Sequence, residues 1–166
     1  AIVFLDGDTW VQDWRALELL EGASARGALA VVADNGRFWD RQIDIRWLLG
    51  GIGGLGQVRS FFFKNGRHGG LPLALLKDMG TRAQLNAGVF ALRRDAPHWS
   101  AWRRWQASIL KAGGKPFTSD QLAMGATVYA DKLPVELLPE GCNYIRPYRV
   151  DIERGAVVEY YYPCLL

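Results

Sequence analysis

The chain has 166 residues, 49% of them hydrophobic and 22% charged, the make-up of one globular domain with a real core. Its net charge of +3 is spread without a block of like charge, which argues against nucleic acid and suits anionic small ligands such as nucleotides or phosphates. No secretory signal and no apolar run of membrane-spanning length is visible, and two cysteines with two histidines make no zinc signature.

The first ten residues carry the strongest local signal. The run Ala1-Ile2-Val3-Phe4-Leu5 ends in Asp6-Gly7-Asp8, and a short apolar run closed by polar residues and glycine reads as a buried strand of a parallel sheet. Ligands of open α/β sheets sit beyond the carboxyl ends of such strands. Asp6 and Asp8, with Gly7 allowing close approach, are therefore candidate oxygen ligands of a divalent cation. The competing reading is a turn in which either acid caps the next helix. The chain opens inside a strand without Met and stops in the apolar aromatic stretch 157–166; it reads as a fragment, cut at both ends, of a larger domain, with all of 1–166 in one partial domain.

Asp13 is placed to cap a helix from about Trp14 to Ala25, with Trp14, Leu17, Leu20 and Ala23 on one face and Gly27 ending it. Residues 28–33 read as a second buried strand, closed by Asp34-Asn35-Gly36, which completes a βαβ unit. Residues 42–49 look helical. The glycine-rich stretch 50–56 contains GxGxxG at Gly51, Gly53 and Gly56 but lacks the preceding strand of a dinucleotide site, so a surface loop is the better reading. Phe61-Phe62-Phe63 reads as a small strand or a core plug, and His68 as a loop residue.

Leu85-Asn86-Ala87-Gly88 leads into the strand Val89-Phe90-Ala91-Leu92. Asp95 then caps a helix with Pro97 in its first turn. Trp99, Trp102, Trp105 and Ile109 form a stripe read as core packing rather than a base-stacking platform, with Arg103 and Arg104 facing away and Gly113-Gly114 at its end. Thr118-Ser119-Asp120-Gln121 starts another helix, with Leu122, Ala126 and Tyr129 on one side. Thr118 and Gln121 have the spacing of a capping box. Residues 133–138 read as the final strand and 143–147 as a loop. Cys142 and Cys164 read as buried or free thiols of a reducing compartment.

Three of these stretches together resemble family 8-like glycosyltransferases. Asp6-Gly7-Asp8 is similar to their DxD motif, the segment 85–92 with its Trp-bearing helix to their NAGV segment, and Ser119-Asp120-Gln121-Leu122 to their DQ motif. They stand in the family's order, over roughly residues 1–144. The resemblance implies a GT-A fold, a Rossmann-like α/β architecture with a mixed sheet flanked by helices, holding a nucleoside diphosphate sugar, with UDP the expected nucleotide. Asp6 and Asp8 would bind Mn2+ or Mg2+, Asp6 also touching the ribose. Asn86 would hydrogen-bond the donor sugar and line its pocket with Ala87 and Gly88. Asp120 would hold sugar hydroxyls, and Gln121 would lie near the anomeric carbon. Family 8 enzymes retain configuration, and a neutral Gln is a poor covalent nucleophile, which favours front-side attack assisted by the leaving group.

There are departures from the pattern. The family's third metal ligand is a C-terminal His, and no histidine follows Asp120; His68 and His98 precede it. The strands that would bind the nucleoside base are missing, as a fragment would explain. The expectation is thus a metal-dependent hexosyltransferase-like enzyme, cytoplasmic or peripheral to a membrane, with a saccharide, lipid-linked or protein acceptor. A non-catalytic carbohydrate- or partner-binding relative is the alternative. A DxD phosphatase comes third, because its motif wants a small hydroxyl or β-branched residue where Trp10 stands.

Overall fold

The computed structural model describes residues 1–7, 9, 11, 13–33, 57–143, 148–151 and 156–159. It is an α/β fold on a mixed four-stranded sheet flanked by helices. The strands β1 (Ile2–Leu5), β2 (Leu29–Ala33), β3 (Leu85–Leu92) and β4 (Val135–Leu138) lie in the order β1-β3-β2-β4. β3 runs antiparallel to both β1 and β2, while β2 and β4 are parallel. β5 (Tyr148–Asp151) and β6 (Ala156–Glu159) form a separate antiparallel pair, so 133–138 is not the final strand.

α1 (Trp14–Ala25) covers one face. Asp13 caps it by accepting the Arg15 N–H at 2.9 Å, and Gly27, at φ +85°, turns the chain out of it. Only glycine takes that conformation cheaply. Ala16, Leu20 and Ala23 of α1 pack on Ala30, Val32, Val89, Ala91 and Leu138 of the sheet, and burial of a leucine such as Leu20 contributes about 1.5–3 kcal/mol. Trp14 lies off this face, 74% exposed, because the buried stripe runs through Ala16 rather than the first residue.

The opposite face carries α4 (His98–Lys111) and α5 (Pro116–Tyr129), which pack Trp99, Trp102, Met124 and Val128 on Leu29, Val31, Phe90 and Leu92. Helices on both faces explain why β2 is apolar at every position. α2 (Gln57–His68) and α3 (Leu73–Gly80) close a further layer through Phe62, Leu76, Met79, Ile109 and Leu122. α5 is thus enclosed on several sides, with every residue from Leu122 to Val128 buried, rather than apolar along one side.

Several expectations are corrected. Among the described residues β1 is an edge strand of antiparallel pairing, with Ile2 42% and Phe4 44% exposed; a short apolar run does not say which way its neighbour runs. β1, α1 and β2 keep the parallel sense of a βαβ unit, yet β3 is inserted between the two strands. Phe61-Phe62-Phe63 lies in helix α2 and not in a strand, with Phe62 plugging the core, and His68 is the last residue of that helix rather than a loop residue. Asp95 does not cap α4: both its oxygens take the Arg93 guanidinium, at 2.9 and 2.6 Å, and Pro97 occupies the cap position. The Trp stripe packs in the core as expected. The helix read at 42–49 and the loop at 50–56 lie outside the described residues, as does Cys164. Among the described residues, no helix is long and apolar enough to cross a membrane.

Candidate functional site at the bulge of β3

The pairing of β2 with β3 is regular from Ala30↔Ala91 to Val31↔Phe90 and then jumps to Ala33↔Leu85. One residue of β2, Val32, therefore stands opposite four of β3, 86–89. This is a large bulge, a device common beside functional sites because it re-aims side chains. Its effect is visible in the facing. Leu85 and Ala87 pack toward α4 and α5, as do Phe90 and Leu92, while Val89 and Ala91 pack toward α1. Strict alternation breaks at Gly88.

Within the bulge the Gly88 N–H goes to the Asn86 side chain, whose Oδ1 accepts it at 2.7 Å. Asn86 lies in the strand itself and not in a turn. On the other side, the Gly88 carbonyl accepts the Asp6 N–H at 2.8 Å, continuing the β1–β3 ladder one step past Leu5↔Val89. Asp6, the first residue beyond β1, is exposed, and its Oδ1 accepts the Gly7 N–H at 2.9 Å. A Cβ on Gly88 would lie 2.9 Å from Asn86 Oδ1 and 3.8 Å from both Asp6 Cβ and Asn143 Nδ2. Only glycine fits there without a shift.

The fourth member, Asn143, is a residue the sequence reading leaves in a loop. β4 ends at Leu138, and the 3-10 turn Glu140–Cys142 drives Cys142 into the core under α1. Burial raises the pKa of the Cys142 thiol and keeps it neutral. The next residue, Asn143, is 8% exposed and donates from Nδ2 to Asn86 Oδ1 at 3.0 Å. A polar residue directly after a buried apolar one is the only local hint of this.

The third motif is built differently. α5 opens with a corner in which Thr118 takes φ +75°, a left-handed conformation that costs a β-branched residue about 1–3 kcal/mol. Asn65 of α2 holds the corner. Its Oδ1 accepts the Lys115 N–H at 2.6 Å, and its Nδ2 lies 2.9 Å from Thr118 Oγ1 and 3.2 Å from the Lys115 carbonyl. Thr118 is thereby turned away from Gln121, whose N–H goes instead to Asp120 Oδ1 at 2.8 Å; the capping box is not formed. The Asp120 carbonyl accepts Trp102 Nε1–H at 2.9 Å, fixing the motif to α4.

The sheet thus brings Asp6 together with Asn86 and Gly88. Ala87 does not share their cluster, since it packs toward Met124 in the core. Asp120 and Gln121 are half-buried in the first regular turn of α5, and among the described residues no hydrogen bond joins them to the Asp6 cluster. Asp8 lies outside the described residues, and within them no group of three or more His, Cys, Asp or Glu side chains could hold a metal. His98 is no ligand candidate: it is buried, with Nε2 2.9 Å from the Pro134 carbonyl.

No family model, curated protein or solved structure matches this chain.

Proposed function

We propose that this chain is the core of a metal-dependent glycosyltransferase of GT-A type, acting in the cytoplasm and moving a sugar from a UDP-linked donor to an acceptor with retention of configuration. The observation that carries the reading is the meeting of Asp6 with Asn86 and Gly88 at the β3 bulge. Two motifs far apart in sequence converge at one end of the sheet, around a glycine where a side chain would displace Asn86. The strained corner before Asp120-Gln121 adds support, because non-glycine residues held at positive φ cluster where function requires them.

On this reading Asp6 and Asp8 hold Mn2+ or Mg2+. The Asp6 carboxylate fits the role: it is exposed and a hard oxygen donor, and one of its oxygens has no partner among the described residues. When bound, the cation acts as a Lewis acid that neutralises charge on the departing diphosphate. Asn86 hydrogen-bonds the donor sugar. Asp120, held through Trp102, orients sugar hydroxyls beside an oxocarbenium-like centre, and Gln121 lies near the anomeric carbon as a neutral dipole.

The test is Mn2+-dependent hydrolysis or transfer of UDP-sugars by wild type and by Asp8→Asn. Loss of a ligand of the Lewis acid lowers the rate by about a hundredfold or more. Equal rates in the two proteins would sink the metal site. Phosphatase activity that Asp6→Asn abolishes, without need of a nucleotide sugar, would replace this reading with the hydrolase.

A further inference from the structure

The cluster at the bulge contains two side-chain amides in contact, and one backbone group sets the polarity of both. The Gly88 N–H can only donate, so the atom of Asn86 that meets it at 2.7 Å must be the carbonyl oxygen Oδ1. The Asn143 atom that meets the same oxygen at 3.0 Å must then be a donor, Nδ2. Rotating the Asn86 carboxamide by half a turn would set its NH2 against the Gly88 N–H, so that backbone donor fixes the orientation and the Asn143 bond reinforces it.

Its consequence lies in what is left over. Asn86 Nδ2 has no hydrogen-bond partner among the described residues. The one fully buried side-chain polar atom there without a partner is His98 Nδ1, so Asn86 Nδ2 reaches the surface although the residue as a whole is 8% exposed. Asp6 bonds the same glycine from the other strand, its N–H meeting the Gly88 carbonyl at 2.8 Å. An amide donor and a carboxylate thus belong to two residues that bond the same glycine.

We infer that Asn143 is a positioning residue for this site: it locks the Asn86 carboxamide so that only N–H donors face the ligand, which makes Asn86 a reader of ligand oxygen. Resting on the sugar-transfer reading above, that oxygen is a hydroxyl of the donor sugar rather than any atom of the nucleotide. A group that can only donate, such as an ammonium, is refused by the same amide. The lock itself does not depend on what the ligand is.

Two measurements keep the lock and the ligand apart. Hydrogen exchange of ligand-free protein reads the lock. In wild type the Gly88 N–H is protected while the Asn86 side-chain amide exchanges freely. Asn143→Leu, which keeps the volume and removes the donor, speeds Gly88 exchange by about tenfold, the worth of one hydrogen bond. Asn86→Asp keeps both acceptor contacts and leaves Gly88 exchange unchanged. Unaltered Gly88 protection in Asn143→Leu overturns the lock, and should that variant fail to fold, accelerated exchange in Asn86→Asp overturns it equally. Calorimetry with Mn2+ and either UDP or UDP-glucose, UDP-galactose and UDP-N-acetylglucosamine reads the ligand. Each variant that folds binds UDP as wild type does and loses the extra affinity for the sugar-bearing ligands, about tenfold. Equal losses for UDP and UDP-sugars overturn the assignment to the sugar. If wild type binds none of these ligands, the transferase reading falls and the sugar assignment with it, while the exchange experiment decides the lock on its own.

Discussion

His98 Nε2 donates to the carbonyl of Pro134 at 2.9 Å, and the same oxygen accepts the Leu29 N–H at 2.9 Å. This one acceptor ties the start of α4 to the lead-in of β4 and to the first residue of β2. Because a carbonyl only accepts, the ring is the Nε2–H tautomer, and the lone pair sits on Nδ1, buried and without a partner among the described residues. Protonation would place a charge at that atom. Burial therefore holds the His98 pKa below the ordinary histidine value, against a smaller opposing pull from the Pro134 carbonyl.

A pH dependence with a definite sign follows. The unfolded chain takes up a proton at this position near pH 6.5, whereas the folded chain does so only at lower pH. The contribution of neutral His98 is complete above that value and is lost as pH falls from there toward the folded pKa. Denaturant titrations between about pH 7.5 and 5.5 should show stability falling by at most about 1.4 kcal/mol per pH unit from this group. His98→Gln, which retains a donor and cannot titrate, should flatten the curve in that window. An unchanged slope would show that His98 is not the responsible group.

Asn65 is expected to be a costly residue to truncate. Asn65→Ala leaves the part-buried Lys115 N–H without its acceptor and frees a threonine held at positive φ. Losing the several hydrogen bonds Asn65 makes at this corner costs about 1–3 kcal/mol, so urea unfolding should show a loss of that size. Thr118→Gly relieves the backbone strain and, made in the Asn65→Ala background, should recover part of it. If the two changes simply add with no recovery, strain at Thr118 is not what Asn65 restrains.

Gly88→Ala tests the bulge. Its backbone φ is ordinary, so the only penalty is steric: the new methyl would lie 2.9 Å from Asn86 Oδ1. The carboxamide has to give way, costing about 1–3 kcal/mol as overpacking and displacing the Asn86 donors. Thermal unfolding should register the first effect. Loss of UDP-sugar affinity without loss of Mn2+ affinity should register the second. Wild-type affinity for UDP-sugar in Gly88→Ala would mean that Asn86 does not contact the donor.

What the sequence shows and what it hides divides along a physical line. The limits of α1 are readable because Asp13 and Gly27 act within a turn of the residues they cap. The apolar character of β2 is readable because both faces are covered. The edge position of β1 is not, since apolar periodicity carries no record of a neighbour's direction. Asp95 has the spacing of a cap, but Arg93, two residues earlier, takes its carboxylate and lowers its pKa. At the site, Asp6, Asn86 and Gly88 are marked by local pattern, a polar residue and a glycine interrupting apolar strands. Asn143 and Asn65 are not, because what they do depends on contacts with residues distant in the chain. The tertiary partners, Asn86 for one and Lys115 for the other, give them their meaning.

The place of β3 between β1 and β2 has a kinetic side. β1 cannot be tied into the sheet until β3 has been made and inserted antiparallel between it and β2, so Asp6 and Asn86 meet only when a long loop of chain has closed. A molecule gripped by both behaves as a reversible crosslink across that loop. Fraying of the exposed edge at Ile2 would part the ladder from its far end and leave such a crosslink intact. Withdrawal of β3 would break it at once. Bound ligand should therefore slow the rare, concerted opening of the whole sheet while leaving the small local fluctuations at the edge as they were.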